Sequence, residues 1–176
     1  MARGAKNDLQ AKLEKQGVRY GLASYVDIHG RSKSKCVPIG HFDRMFKGSE
    51  LFTGAALDGV PQQVNDDEVA AMPDLDNVMV MPWKPDMAWF PSDLYLHGKP
   101  FEACSRNILK RVLKQASDMG YRFNLGIETE FYLFRENADG TVTPGTKRDD
   151  LDKPAYDVRQ LLNSFPVIDE LVTAMD

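Results

Sequence analysis

The stretch Gly126-Ile127-Glu128-Thr129-Glu130-Phe131-Tyr132-Leu133-Phe134 decides how this chain is read. It sets two carboxylates two residues apart inside an apolar, aromatic run. Side chains alternate along a strand, so Glu128 and Glu130 are expected on one face, with Ile127, Thr129 and Phe131 on the other. Two acids sharing a face of a mostly buried strand are costly unless something offsets their charge. Mg2+ or Mn2+ would do so, because both are hard cations that take carboxylate and phosphate oxygens. A solvated edge strand can carry the same Glu-x-Glu spacing with no metal, so the spacing alone leaves both readings open. Residues 131–134 read as core, within one long strand expected over residues 121–135.

The surrounding chain sets the bounds. At 176 residues with 43% hydrophobic and 27% charged content, it can build one or two domains with a real core. A formal net charge of -4 gives no reason to expect nucleic acid or an anionic membrane as partner. No run reaches the ~18–20 apolar residues of a membrane span. The first residues lack the apolar segment of a secretory leader, so a cytoplasmic location is expected. Cys36 and Cys104 stand far apart and form no redox or metal motif; both are expected to be reduced packing residues. His29, His41 and His97 are scattered, which argues against structural zinc.

Working outward, Leu9 and Leu13 predict a helix over residues 8–16, capped by Asn7 or Asp8 and stopped by Gly17. Alternation over 18–28, a turn at His29-Gly30-Arg31 and a second run over 32–37 predict a hairpin. A short helix follows over 39–46, with Phe42 and Phe46 on one side. Residues 51–69 read as a loop carrying one short strand, with a local acidic cluster at 65–68. Residues 72–76 read as a turn, and strands are expected at 77–81, 87–90 and 94–97. Ser105 is the expected cap of a helix over 107–119, whose apolar stripe is Ile108, Val112, Leu113 and Ala116. Its charged face, with Arg106, Lys110, Arg111 and Lys114, is expected to be solvated or at a subunit contact. Trp83 and Trp89 read as packing or contact residues. Asn137-Ala138-Asp139-Gly140 is a turn, 141–153 a loop, and the chain turns helical again from Asp157, with Pro166 at a fresh first turn or a kink. No capping signal closes that last apolar helix, which predicts that the sequence continues into a larger protein.

The order of these landmarks resembles the glutamine synthetases. Residues 126–134 look like that family's Gly-x-Glu-x-Glu-Phe-x-Leu-Phe strand. Val26-Asp27-Ile28-His29-Gly30-Arg31 resembles its hairpin, and Phe52-Thr53-Gly54-Ala55-Ala56-Leu57-Asp58-Gly59 resembles its Phe-Asp-Gly-Ser-Ser-Ile-x-Gly loop. Met72-Pro73-Asp74, Met81-Pro82-Trp83 and Gly98-Lys99-Pro100-Phe101 with Ser105-Arg106 fall in the family's order. The resemblance implies an α+β chain: an N-terminal β-grasp domain over 15–100, then the start of the α/β catalytic domain over 101–176. It implies homo-oligomeric hexameric rings stacked as a dodecamer, with each active site shared between neighbouring subunits. It also implies ATP as co-substrate, phosphorylation of the glutamate side chain to an acyl phosphate, and displacement of phosphate by an amine. Glu128 and Glu130 match the family's metal-ligand strand for Mg2+ or Mn2+. The nucleotide and glutamate residues lie further along in the family, so no catalytic residue is assigned and these 176 residues alone are not expected to catalyse.

One departure bears on the amine. The family places an Asp after the Phe of its loop, where it helps bind ammonium; this chain has Thr53, followed by Ala55 and Ala56. Thr53 and Asp58 are the candidate substrate-binding residues, Asp58 as a substitute charge. A less polar pocket suits methylamine as well as ammonium, so the alternatives are a glutamine synthetase and a γ-glutamylmethylamide synthetase. Two other classes stay open: a noncatalytic ring-forming relative, and a stand-alone β-grasp binding module ending near Gly98.

Overall fold

The computed structural model describes residues 3–146 and 152–175. The first helix, α1 (Arg3–Lys15), begins one turn before the expected cap. Asp8 lies inside the helix, and the Asn7 side chain falls outside the described residues. Leu13 is buried, with Leu9 packed beside it. Gly17 ends the helix at φ 85°, a backbone state that suits glycine, and the Val18 N–H closes onto the Leu13 carbonyl at 3.0 Å.

The hairpin forms as β1 (Tyr20–Val26) antiparallel to β2 (Ser32–Pro38). The residues turned inward are Gly21, Ala23 and Tyr25 rather than Leu22 and Val26. Small side chains are used here because aromatic rings lie directly above them. The next helix, α2 (Phe42–Met45), follows a 3₁₀ turn and buries Phe42, Met45 and the adjoining Phe46. Rings of Phe42, Phe46 and Phe90 pack with centroids 5.4–5.7 Å apart. This is the core of the first unit.

Four strands complete that unit's sheet before its last short one. β3 (Glu50–Phe52) pairs with β4 (Val69–Pro73), which occupies part of the expected turn. β5 (Met79–Met81) pairs with β6 (Lys84–Leu96), a single strand of 13 residues where two short ones were expected. Pro91 stands where β6 passes from pairing with β1, in parallel, to pairing with β4, antiparallel. Its missing N–H therefore falls at the change of partner rather than mid-ladder. β7 (Lys99–Pro100) folds back on the end of β6. The result is a mixed seven-stranded sheet in the order β2-β1-β6-β4-β3, with β5 and β7 also on β6. The fold class is α+β, as expected.

The third helix, α3 (Ser105–Asp118), docks by its first turns. Ser105 does not cap it; its hydroxyl donates to the Val26 carbonyl at 2.8 Å. Asn107, buried, donates to the carbonyls of Leu94 and Phe101 at 2.8 and 3.0 Å. Arg106 pairs with Asp74 and Asp93, and Lys110 with Asp93, so the expected solvated face is partly tied to the sheet. The apolar stripe does not find a core: Ile108, Val112 and Leu113 are exposed. Cys104 is a packing residue, free and buried, but Cys36 is free and exposed on β2, and Trp83 is exposed at a turn.

Residues 124–176 form a second compact unit. The expected strand over 121–135 is not formed; only β8 (Phe134–Glu136) is extended in a ladder, paired with β9 (Val142–Pro144). Strands exist through ladders of partner hydrogen bonds, and among the described residues 121–133 join none: the Leu133 carbonyl accepts from the Gly145 N–H and the Tyr121 N–H donates to Ala116. The turn at 137–140 forms as read, with Gly140 N–H on the Asn137 carbonyl at 3.0 Å. Residues 147–151 of the expected loop lie outside the described residues. The last helix, α4 (Val158–Met175), is capped by Asp157, whose Oδ1 accepts from Arg159 N–H at 2.7 Å. Pro166 lies within it. Among the described residues no helix is long and apolar enough to cross a membrane.

A Cβ on Gly21 would sit 2.7 Å from the Phe42 ring and 2.9 Å from that of Phe90. Overpacking a closed core costs about 1–3 kcal/mol. Gly21→Ala is expected to destabilise the protein by that amount in urea unfolding, with no change in the slope of the transition.

Candidate functional site

Thr53 and Asp58 belong to one loop, residues 53–68, running from β3 to β4. The β3–β4 register pairs Phe52 with Val69, which brings the next residues out, Thr53 and Glu68, across from each other. The Thr53 hydroxyl donates to Glu68 Oε1 at 2.8 Å and closes the base of the loop. Gln62 folds inward: its amide donates to the Asp67 carbonyl at 2.9 Å and lies against Gly54. A Cβ on Gly54 would stand 1.8 Å from Gln62 Oε1, so this position has no room for a side chain. Two imidazoles hold the loop from outside, His29 to Asp58 at 3.2 Å and His97 to Asp67 at 2.6 Å.

Thr53 and Asp58 are therefore not joined to each other. Thr53 meets Glu68, and Asp58 meets His29 on the β1–β2 turn. Glu68 and His29 were not singled out by sequence. The signal for Glu68 was the strand at 69–73, whose recognition would have fixed the register and set a carboxylate beside Thr53.

The β1–β2 turn carries an acid with several partners. Asp27 is buried, and its Oδ1 accepts N–H donors from His29 and Arg31, both at 2.9 Å. Lys33 Nζ lies 3.6 Å from Oδ2. The Arg31 N–H bond holds the Asp27 carboxyl below its usual range, and the partial burial that opposes this does not cancel it. Beside it Tyr25 is buried, and its hydroxyl has no hydrogen-bond partner among the described residues. Burial first, and then the charge of Asp27 and the thiol of Cys104, push the phenol up to about 12.

Glu128 and Glu130 lie in the stretch without regular structure, and both are exposed. Ile127, Phe131, Tyr132 and Phe134 are exposed too, so the expected core at 131–134 is not formed. Among the described residues no group of three or more His, Cys, Asp or Glu is placed to hold a metal ion. Both carboxylates stand on a solvated segment outside the ladders, and their hard oxygen donors are of the kind Mg2+ and Mn2+ take.

Residues 102–176 match the glutamine synthetase catalytic domain. Over 166 residues the chain is 34% identical to a glutamate–methylamine ligase of Methyloversatilis universalis, spanning 94% of this chain and 37% of that protein. The chain belongs to the glutamine synthetase family. It is also 34% identical over 170 residues to a glutamine synthetase of Rhizobium leguminosarum bv. phaseoli, spanning 96% of this chain and 38% of that one. Two solved structures share its fold. One, described as a GmaS/ADP complex in conformation 1, superposes with a TM-score of 0.78 at 25% identity over 96% of this chain and 38% of that one. The other, apo GmaS without ligand, gives 0.79 at 26% identity over 96% and 39%. This glutamine synthetase family chain thus spans little more than a third of the length of these relatives.

The depressed Asp27 carboxyl makes a pH prediction. A carboxylate favoured by its native bonds contributes stability above its unfolded pKa, and that stability is lost as pH falls through the lower native value. Thermal stability is expected to fall on acidification below the ordinary aspartate value of 3.8, and Asp27→Asn is expected to flatten that dependence.

Proposed function

We propose that this chain is part of a ligase that joins the side-chain carboxylate of glutamate to ammonia or a small alkylamine, with ATP as co-substrate and an acyl phosphate intermediate. The observation that carries this reading is the match along nearly the whole chain to a glutamate–methylamine ligase and to glutamine synthetases. On this reading residues 15–100 are the β-grasp domain and residues 101–176 the start of the catalytic domain. The working protein is a cytoplasmic ring assembly of hexamers, most simply a dodecamer, and the 176 residues do not turn over by themselves.

The loop at 53–68 supports an assignment of the amine subsite. Glu68 restores the negative charge that Thr53 does not carry. Its Oε1 is fixed by the Thr53 hydroxyl, and an ammonium or alkylammonium N–H would donate to the same carboxylate. Ala55 and Ala56, both exposed on the loop, leave room and apolar surface for a methyl group. This favours methylamine over bare ammonium as acceptor. Asp58, engaged by His29, is the lesser candidate. Glu128 and Glu130 are the residues proposed to bind Mg2+ or Mn2+, once neighbouring strands order the segment that carries them.

The test is ADP release by the whole enzyme with glutamate and, in turn, ammonium, methylamine and ethylamine. Methylamine is expected to give the highest kcat/KM. Glu68→Gln is expected to raise the KM for the amine about tenfold while leaving those for ATP and glutamate unchanged, as loss of one charge-assisted hydrogen bond does. An unchanged amine KM would remove Glu68 from the site. No ADP release with any amine would favour the noncatalytic ring protein.

A further inference from the structure

The 53–68 loop has little apolar anchorage. Of its residues only Gly54 is buried, and Leu57 packs partly against the core. A surface segment with so few apolar contacts opens at small cost. What fastens it to the rest of its unit therefore decides how ordered it is.

Two fastenings reach it, one near its middle and one near its end. At the first, Gly59, at φ 78°, presses on the β1–β2 turn, and a Cβ there would stand 2.9 Å from the Ile28 side chain. His29 Nε2 lies beside this contact, 3.2 Å from Asp58 Oδ2. At the second, His97 Nε2 lies 2.6 Å from Asp67 Oδ2. His97 and Gly98 join β6 to β7 at φ 51° and 74°. Two positive φ angles in such a turn ordinarily select Asn-Gly or Asp-Gly. This turn carries an imidazole instead, and the imidazole is the group that reaches the loop.

Both fastenings share one chemistry. Among the described residues each imidazole ring has one charged partner. Around His29, Asp27 accepts the backbone N–H at 2.9 Å and is itself paired with Lys33, and Arg31 shares the turn. Around His97, Asp66 is taken by the Gln63 N–H and Glu68 by the Thr53 hydroxyl, and Lys99 follows on β7. In an imidazole–carboxylate pair the change of charge between about pH 5 and 8 falls on the imidazole. The charged ring donates a charge-assisted hydrogen bond, and the neutral ring at most an ordinary one. A bond that favours the protonated ring is complete at the acid end of that span and is lost as pH rises.

We propose that the 53–68 loop is a pH-sensitive strap: protonated His29 and His97 fasten it to the β1–β2 and β6–β7 turns, and it loosens at both points as the imidazoles lose their charge. The strap needs no substrate, metal or nucleotide, and its order is read without turnover. It therefore stands or falls apart from the amine reading.

The experiment is residue-resolved amide exchange on the full 176-residue chain from about pH 5.5 to about pH 8, each rate referred to that of an unstructured peptide at the same pH. The Leu57, Val60 and Asp66 amides, each hydrogen-bonded within the loop, report on it, and Phe90 reports on the core. Protection at the three loop amides, relative to Phe90, is expected to fall about threefold across the span, as loss of one exposed ion pair at each point implies. His29→Gln is expected to remove the pH dependence at Leu57 and Val60 and to keep it at Asp66. His97→Asn, a change that suits the positive-φ turn, is expected to do the reverse. Loop protection that tracks Phe90 at every pH would overturn the proposal. So would a pH dependence that persists at its own fastening in both variants.

Discussion

The pairing of β6 is the constraint on which the first unit rests. This one strand of 13 residues makes ladders with β1, β4, β5 and β7. Its residues Ala88, Phe90, Pro91, Ser92 and Leu94 are buried, and burying a side chain such as Phe90 or Leu94 contributes roughly 1.5–3 kcal/mol. The loop proposed to hold the amine and the acidic β1–β2 turn both hang from it. β4, held by the second half of β6, sets the register that puts Glu68 opposite Thr53. β1, held by the first half, carries Tyr25 and leads into the Asp27 turn. Leu94 also gives α3 its anchor, through Asn107.

Much of this was legible in the residues, and the gaps have physical causes. The β1–β2 hairpin, the aromatic pair on α2 and the turn at 137–140 follow from local chemistry: alternation, a four-residue repeat, and Asn-x-Asp-Gly. Two strands are expected where β6 is one, and Pro91-Ser92-Asp93 stands between them. A proline is tolerated there only because the strand changes neighbours at that point, which is a tertiary fact. The inward face of β1 was hidden for a similar reason. Gly21 looks like a poor core residue until the rings of Phe42 and Phe90 are placed over it. Ser105 showed the type of residue that caps a helix, but a competing carbonyl on Val26 took its hydroxyl.

The acid pair shows the opposite case, a strong pattern with no structure to match. Residues 122–132 carry the alternation of a strand, but among the described residues no ladder includes them, and their side chains stay exposed. The exposed stripe of α3 and the wholly unburied α4 share this condition. Amphipathic faces are half of an interaction, and a sequence advertises them whether or not the other half is within reach. Family membership rests on the whole run of landmarks and does not depend on that one segment being ordered.

Amide hydrogen exchange across the full chain tests this division most directly. The account predicts strong protection along β1, β4 and the paired stretches of β6, with exchange at 127–131 as fast as in an unstructured peptide. Protection at Ile127, Glu128, Thr129 and Glu130 comparable to that of Phe90 would contradict it, because it would mean that the acid segment already has strand partners within these residues.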